Sequence, residues 1–337
     1  MSDRVPSALI LDPHQRERIY SDVVLAQIRE RCDLRVICAP DELADPRLVE
    51  ALPGVRVVWS GWGGLKLIAK ALERLPALEL YLYAAGTVKP YLTDAVWERS
   101  VRVCGAWGAN AVPVAEWAFA QIVLCLKQAW RLSAAYREAR QGIQLTWPGR
   151  FGAYATTVGL ISLGQIGQRL AKWLQSLEVN VIAYDPFVKA KAMQALGIEK
   201  VDALEAVFER SEVVSLHTPW LPETEGMIHA AHFARMGPGA SFINTARGAV
   251  VHEPDLVAFL QARPDCFACL DVTWPEPPAP ESPLWTLPNV FLTPHLAGAQ
   301  GGECHRMAQF MIEDFDRWQR GEALQHEVTR ERLPLLA

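Results

Sequence analysis

The sequence predicts an α/β protein made of two doubly wound parallel-sheet domains, the first flavodoxin-like and the second a Rossmann unit. Three observations lead there. Short apolar runs alternate with helical patterns along nearly the whole chain, which is the pattern of strands joined by crossover helices. A long helical stretch divides those runs into two series. The 337 residues, half of them hydrophobic, are enough for two buried cores.

In the first series, residues 8–11, 34–38, 55–59, 78–83 and 101–104 read as buried strands. The helical stretch covers residues 112–140, and the second series follows at 157–162, 179–184, 213–216, 241–244, 266–271 and 290–292. Residues 299–320 form one more amphipathic helix, with Met307, Phe310, Met311, Phe315 and Trp318 near helical spacing. That helix has no sheet of its own to cover, so a split layout is expected. Residues 1–105 and 299–337 would make one domain and 106–298 the other. The proline-rich stretch 274–288 is a loop, because a strand and a helix follow it.

The formal net charge of -5, with signs intermixed, argues against nucleic acid as a partner. The apolar run near the N-terminus is four residues long and no later run reaches membrane length, so neither leader nor membrane span is expected. Seven scattered cysteines suit reduced core thiols and a cytoplasmic location. Cys266 and Cys269 have the spacing of a metal or redox motif, but no second pair completes a zinc site. They read as core residues, and no metal is expected. Trp117, Trp130 and Trp318 fall on helices and read as packing.

Residues 157–171 read as a strand, a tight turn and the start of a helix. Gly164 would let the backbone approach a pyrophosphate at the helix N-terminus, and Gly167 would let helix and strand pack closely. The first glycine of the usual fingerprint is replaced by Ser162, which is tolerable if its φ stays negative. About 20 residues further on, Asp185 closes the next strand, where it can take both ribose hydroxyls of an adenosine. Its charge would repel a 2′-phosphate, so NAD is expected over NADP.

Three further segments end predicted strands: Asn244 to Gly248 with Arg247, Asp271 to Pro277 with Glu276, and Thr293 to Gly298 with His295. Ligands of open α/β sheets bind at that edge. A guanidinium, a carboxylate and an imidazole there make a proton-transfer site with an anion clamp.

These segments, in this order behind the glycine turn, resemble the D-isomer-specific 2-hydroxyacid dehydrogenase family. Ala84 to Val88, Asn110 to Glu116 and Leu216 to Pro219 extend the resemblance over nearly the whole chain. It implies a substrate domain built from both termini, an inserted cofactor domain, and catalysis in the cleft between them. It implies that His295 exchanges a proton with the substrate oxygen, that Glu276 hydrogen-bonds the imidazole, and that Arg247 grips the substrate carboxylate. Gln165 and Ile166 would offer amides to the pyrophosphate, and Asp271 would fix the nicotinamide amide. His217, Thr218, Pro219, Thr245, Ala246 and Gly298 complete the implied cofactor set together with Arg247 and His295, which would touch both cofactor and substrate, although His217 could equally cap a strand end. Gly61, Trp62, Gly63 and Gly86 join Arg247 and His295 as implied substrate contacts.

The implied reaction is NAD-dependent oxidation of a short 2-hydroxy acid, or reduction of a 2-keto acid such as glyoxylate or hydroxypyruvate, by a homodimer. An NADH-responsive corepressor-like module is a second reading, disfavoured because no disordered tail surrounds the domains. Phosphite or formate oxidation is a third, and Glu276 counts against the formate branch. No regulatory domain is expected after Arg320.

Overall fold

The computed structural model describes residues 4–144 and 149–336. The chain divides into two compact units, Met1–Ala111 with Ala299–Ala337, and Val112–Gly298. The first divide falls six residues later than the expected 105/106, inside a helix that begins at Trp107.

The first unit holds β1 (Val5–Ile10), β2 (Cys32–Cys38), β3 (Val57–Ser60), β4 (Leu80–Tyr83) and β5 (Arg102–Gly105). They are joined to a short last strand, Glu327–Val328, in the order last strand, β5, β4, β3, β1, β2. All pairs are parallel except the last strand against β5. Alternate residues serve opposite faces. Leu9, Trp59, Leu80 and Leu82 join one core cluster, while Ile10, Val58, Tyr81 and Tyr83 join the other. The helix Glu303–Gln319 covers the first face with Cys304, Met307, Ala308, Met311, Ile312 and Phe315, spaced three and four residues apart. Each large side chain so buried contributes about 1.5–3 kcal/mol.

The second unit holds β6 (Thr157–Ile161), β7 (Asn180–Tyr184), β8 (Glu199–Lys200), β9 (Val213–Leu216), β10 (Ser241–Asn244), β11 (Phe267–Leu270) and β12 (Val290–Leu292). The last strand of the chain is therefore β13. The second sheet runs β12-β11-β10-β9-β6-β7-β8, parallel throughout. The chain starts at the centre, winds outward through β7 and β8, then returns to β9 on the other side. The switch point of this Rossmann order lies between β6 and β9, where ligands of such sheets bind.

The expected helix over 112–140 is two helices, Trp107–Leu126 and Ala129–Ala139. Gln128 breaks it with a left-handed φ of 56°, and its side-chain amide donates to the Gly239 carbonyl at 2.9 Å. The apolar spacing continues across the break, so pattern alone does not reveal it. Trp107–Leu126 is also long and apolar enough to cross a membrane, contrary to the expectation that no run is. Its Ala115, Ala118, Ile122 and Cys125 are buried in the second unit's core, the ordinary setting of an apolar core helix.

Candidate active site

Strand register sets out the site. Ile161 lies beside Tyr184 and Leu216, Asn244 beside Leu216 and Leu270, and Leu270 beside Leu292. The next residue on each strand therefore leaves the carboxyl edge in one row: Asp185, Ser162, His217, Thr245, Asp271, Thr293.

After β6 the chain turns into the helix Gln165–Leu174. Gly167, Leu170, Ala171 and Leu174 form its buried face. A Cβ on Gly167 would sit 2.3 Å from the Ser162 carbonyl oxygen, so this close approach needs glycine. Around Gly164, at the helix N-cap, space is open. Gln165 is exposed and Ile166 half-buried on the first turn. Ser162 departs from expectation, with φ at +74° rather than negative. Its amide donates to the Tyr184 carbonyl at 2.9 Å, and its hydroxyl lies 2.8 Å from that of Thr218.

Asp185 is buried and already holds three amides. Oδ2 accepts from Leu163 at 2.8 Å, and Oδ1 accepts from Phe187 at 2.9 Å and Val188 at 3.2 Å. A carboxylate has about four acceptor positions, so room remains for a further donor.

His217 is buried, with Nε2 2.9 Å from the Ser215 hydroxyl. Burial pushes its pKa down to about 3, so the ring is neutral. Its Nδ1 and the Thr245 hydroxyl are buried polar atoms without a protein partner among the described residues. Buried polar groups rarely stay unsatisfied, and two on one sheet edge, beside an open helix N-cap, suit a polar dinucleotide. Pro219 is half-buried beyond them and Ala246 is buried.

Asn244 shapes the turn that carries Arg247. Its side chain accepts from the Ala246 amide at 3.0 Å and donates to the Arg247 carbonyl at 3.2 Å. The Arg247 guanidinium donates to the Ala246 carbonyl at 2.6 Å and has no carboxylate within ion-pair distance among the described residues. Burial lowers its pKa and the Glu276 charge opposes that shift, so it remains cationic. A Cβ on Gly248 would lie 2.0 Å from the Thr273 carbonyl carbon and oxygen. Glycine there lets the Arg247 turn meet the segment leading to Glu276.

Glu276 Oε1 stands 2.6 Å from His295 Nδ1. With Nδ1–H donating to the carboxylate, the lone pair or proton of Nε2 is left for a ligand. His295 itself has a left-handed φ of 52°. Buried Asp271 fixes its loop. Oδ1 accepts from the Thr293 hydroxyl at 2.6 Å and the Leu296 amide at 2.8 Å, and Oδ2 accepts from the Ala297 amide at 2.9 Å. Gly298 follows, half-buried, as the last residue of this unit. Asn244, Gly248 and Thr293 stood inside the quoted segments, but only their partners in space reveal what they do.

Trp274, two residues before Glu276, is 51% exposed and meets the exposed Trp220 edge-on, ring centroids 4.8 Å apart. Its amide donates to Glu253, whose carboxyl burial raises. Cys269 lies 3.6 Å from Cys125, sulfur to sulfur, and all seven cysteines are free and buried.

In the first unit, Gly61, Trp62 and Gly63 follow β3, and Gly86 follows β4. Gly63 has φ +68°, and its amide donates to the Tyr91 hydroxyl at 3.0 Å. The Arg18 guanidinium lies 5.5 Å from the Trp62 ring centroid.

Residues 122–297 match the family described as D-isomer specific 2-hydroxyacid dehydrogenase, NAD binding domain. A glyoxylate reductase of Korarchaeum cryptofilum is 32% identical over 269 residues, 78% of this chain and 80% of the relative. The chain belongs to the D-isomer specific 2-hydroxyacid dehydrogenase family. A D-3-phosphoglycerate dehydrogenase of Archaeoglobus fulgidus is 31% identical over 78% of this chain, but the chain spans only 49% of that relative's length. Among solved structures, an NADPH-dependent glyoxylate/hydroxypyruvate reductase of Sinorhizobium meliloti, complexed with NADP and sulfate, superposes with a TM-score of 0.74. It is 26% identical, covering 98% of this chain and all of that one.

Proposed function

We propose that the protein is an NAD-dependent dehydrogenase of short 2-hydroxy acids, working in reverse as a 2-keto acid reductase. The observation that carries the reading is the 2.6 Å bond between His295 Nδ1 and Glu276 Oε1, with the half-buried Arg247 guanidinium on a neighbouring strand-end segment. When bound, the nicotinamide cofactor supplies or accepts the hydride. His295 Nε2 gives a proton to the keto oxygen during reduction and takes it back during oxidation. Glu276 keeps the imidazole in the required tautomer and stabilises its cation. Arg247, free of any carboxylate partner among the described residues, binds the substrate carboxylate as a fork and polarises the carbonyl.

Gly164, Gln165, Ile166 and Gly167 form the turn proposed for the pyrophosphate. His217, Thr218, Pro219, Thr245, Ala246, Asp271 and Gly298 are proposed as the remaining cofactor contacts, together with Arg247 and His295. The Asp185 charge at the ribose position favours NAD over NADP. Gly61, Trp62, Gly63 and Gly86 are proposed as further substrate contacts, and glyoxylate or hydroxypyruvate as the substrates. We also propose a homodimer in a reducing cytoplasm, the latter supported by seven free, buried thiols.

A spectrophotometric panel of short 2-keto acids with NADH tests the reading. Turnover is expected with at least one acid, and His295→Ala should lower it about 10²–10⁴-fold. No NADH oxidation with any acid, or undiminished activity in the variant, refutes it.

A further inference from the structure

Ser162 occupies a backbone conformation in which glycine would be unstrained. Its φ of +74° is set by its surroundings: its amide is tied to Tyr184, its carbonyl lies against Gly167, and the next amide is held by Asp185. A serine at such a position is an outlier that calls for a role beyond shaping the turn. Its hydroxyl meets the Thr218 hydroxyl at 2.8 Å, across the switch point between β6 and β9. Two hydroxyls carry two protons, and the bond between them uses one. The other has no acceptor among the described residues.

The same edge holds two independent signs of a ligand, the His217 Nδ1 and the Thr245 hydroxyl, both unpartnered among the described residues and each on a residue more than nine-tenths buried. In the row of strand ends, Ser162 stands next to Asp185 on one side and His217 on the other. A ribose held at Asp185 would bring its attached phosphate over Ser162, ahead of the open helix N-cap at Gly164.

Building on the dinucleotide reading above, we propose that Ser162 and Thr218 form a hydroxyl pair that donates a hydrogen bond to a phosphate oxygen of the cofactor. Ser162 thereby replaces the usual glycine as a cofactor-binding residue. The pair acts as a unit, because each hydroxyl orients the other's proton.

NADH binding to the full chain, followed by fluorescence titration, tests this with Ser162→Gly, Thr218→Val and the double variant. Ser162→Gly should raise the Kd for NADH roughly tenfold, the effect of one lost bond to a charged acceptor. The melting temperature without ligand should stay level or rise, because glycine relieves the left-handed φ. Thr218→Val should weaken binding similarly, and the double variant no more than either alone. Opposite movements of stability and affinity in Ser162→Gly separate ligand binding from a structural role. Unchanged affinity in Ser162→Gly, or additive effects in the double variant, overturns the hydroxyl pair alone. Absence of NADH binding by the unsubstituted chain overturns the dinucleotide reading together with it.

Discussion

Replacing Asp271 with asparagine probes how the His295 loop is held. The carboxylate takes three donors, the Thr293 hydroxyl and Leu296 amide on Oδ1 and the Ala297 amide on Oδ2. Asparagine can keep the first two on its single oxygen. Its NH2 group then faces the Ala297 N–H at the old 2.9 Å contact, donor against donor in a buried setting. One charge-assisted bond is lost and a buried donor is stranded, a cost of about 2–4 kcal/mol. At about 2–4 °C per kcal/mol for a unit of this size, melting should fall by roughly 5–15 °C. The His295 amide also donates to the Asp271 carbonyl, so the imbalance displaces the imidazole directly. A shift of about 1 Å there costs on the order of 10²-fold in turnover. Circular dichroism melting curves and steady-state kinetics on one preparation measure both effects. Unchanged melting with unchanged kcat would refute the view that Asp271 positions the His295 loop, leaving the expected bond to a nicotinamide amide as its role.

Gly248→Ala should destabilise by about 1–3 kcal/mol, because the added Cβ meets the Thr273 backbone at 2.0 Å and neither chain can yield freely. The Arg247 turn would be pushed from the Glu276 segment, so kcat/KM should fall with stability, and native values of both would contradict the close approach. Acid stability should depend on Asp314. Burial alone would raise this carboxyl, but His326 and the Gln325 and His326 amides hold it below its ordinary value. Its contribution is therefore complete above the unfolded value of about 3.9 and lost as pH falls through the lower folded value. Asp314→Asn should melt lower at neutral pH and show a flatter acid limb. Parallel curves for parent and variant between neutral pH and pH ~3 would count against the assignment.

All eleven strands expected from apolar runs are present, with shifts of a few residues at their ends. Burial on both faces of a parallel sheet leaves a continuous apolar run in the sequence, and such runs survive without knowledge of neighbours. Elements of two residues, β8 and β13, leave no such trace. Nor does the break at Gln128, whose left-handed backbone interrupts a spacing that reads as helical on both sides.

The sequence by itself determined the two α/β units, the return of the last helix to the first of them, and the segments that carry Arg247, Glu276 and His295. Those features are written in local periodicity and in residue types at strand ends. Only the tertiary structure decided what each polar group touches. It gave Ser162 a positive φ, committed the Asp185 and Asp271 carboxylates to backbone amides, and left His217 Nδ1 and the Thr245 hydroxyl without partners among the described residues. Hydrogen bonds between residues far apart in the chain depend on register and close approach, and neither is encoded in the spacing of any single segment.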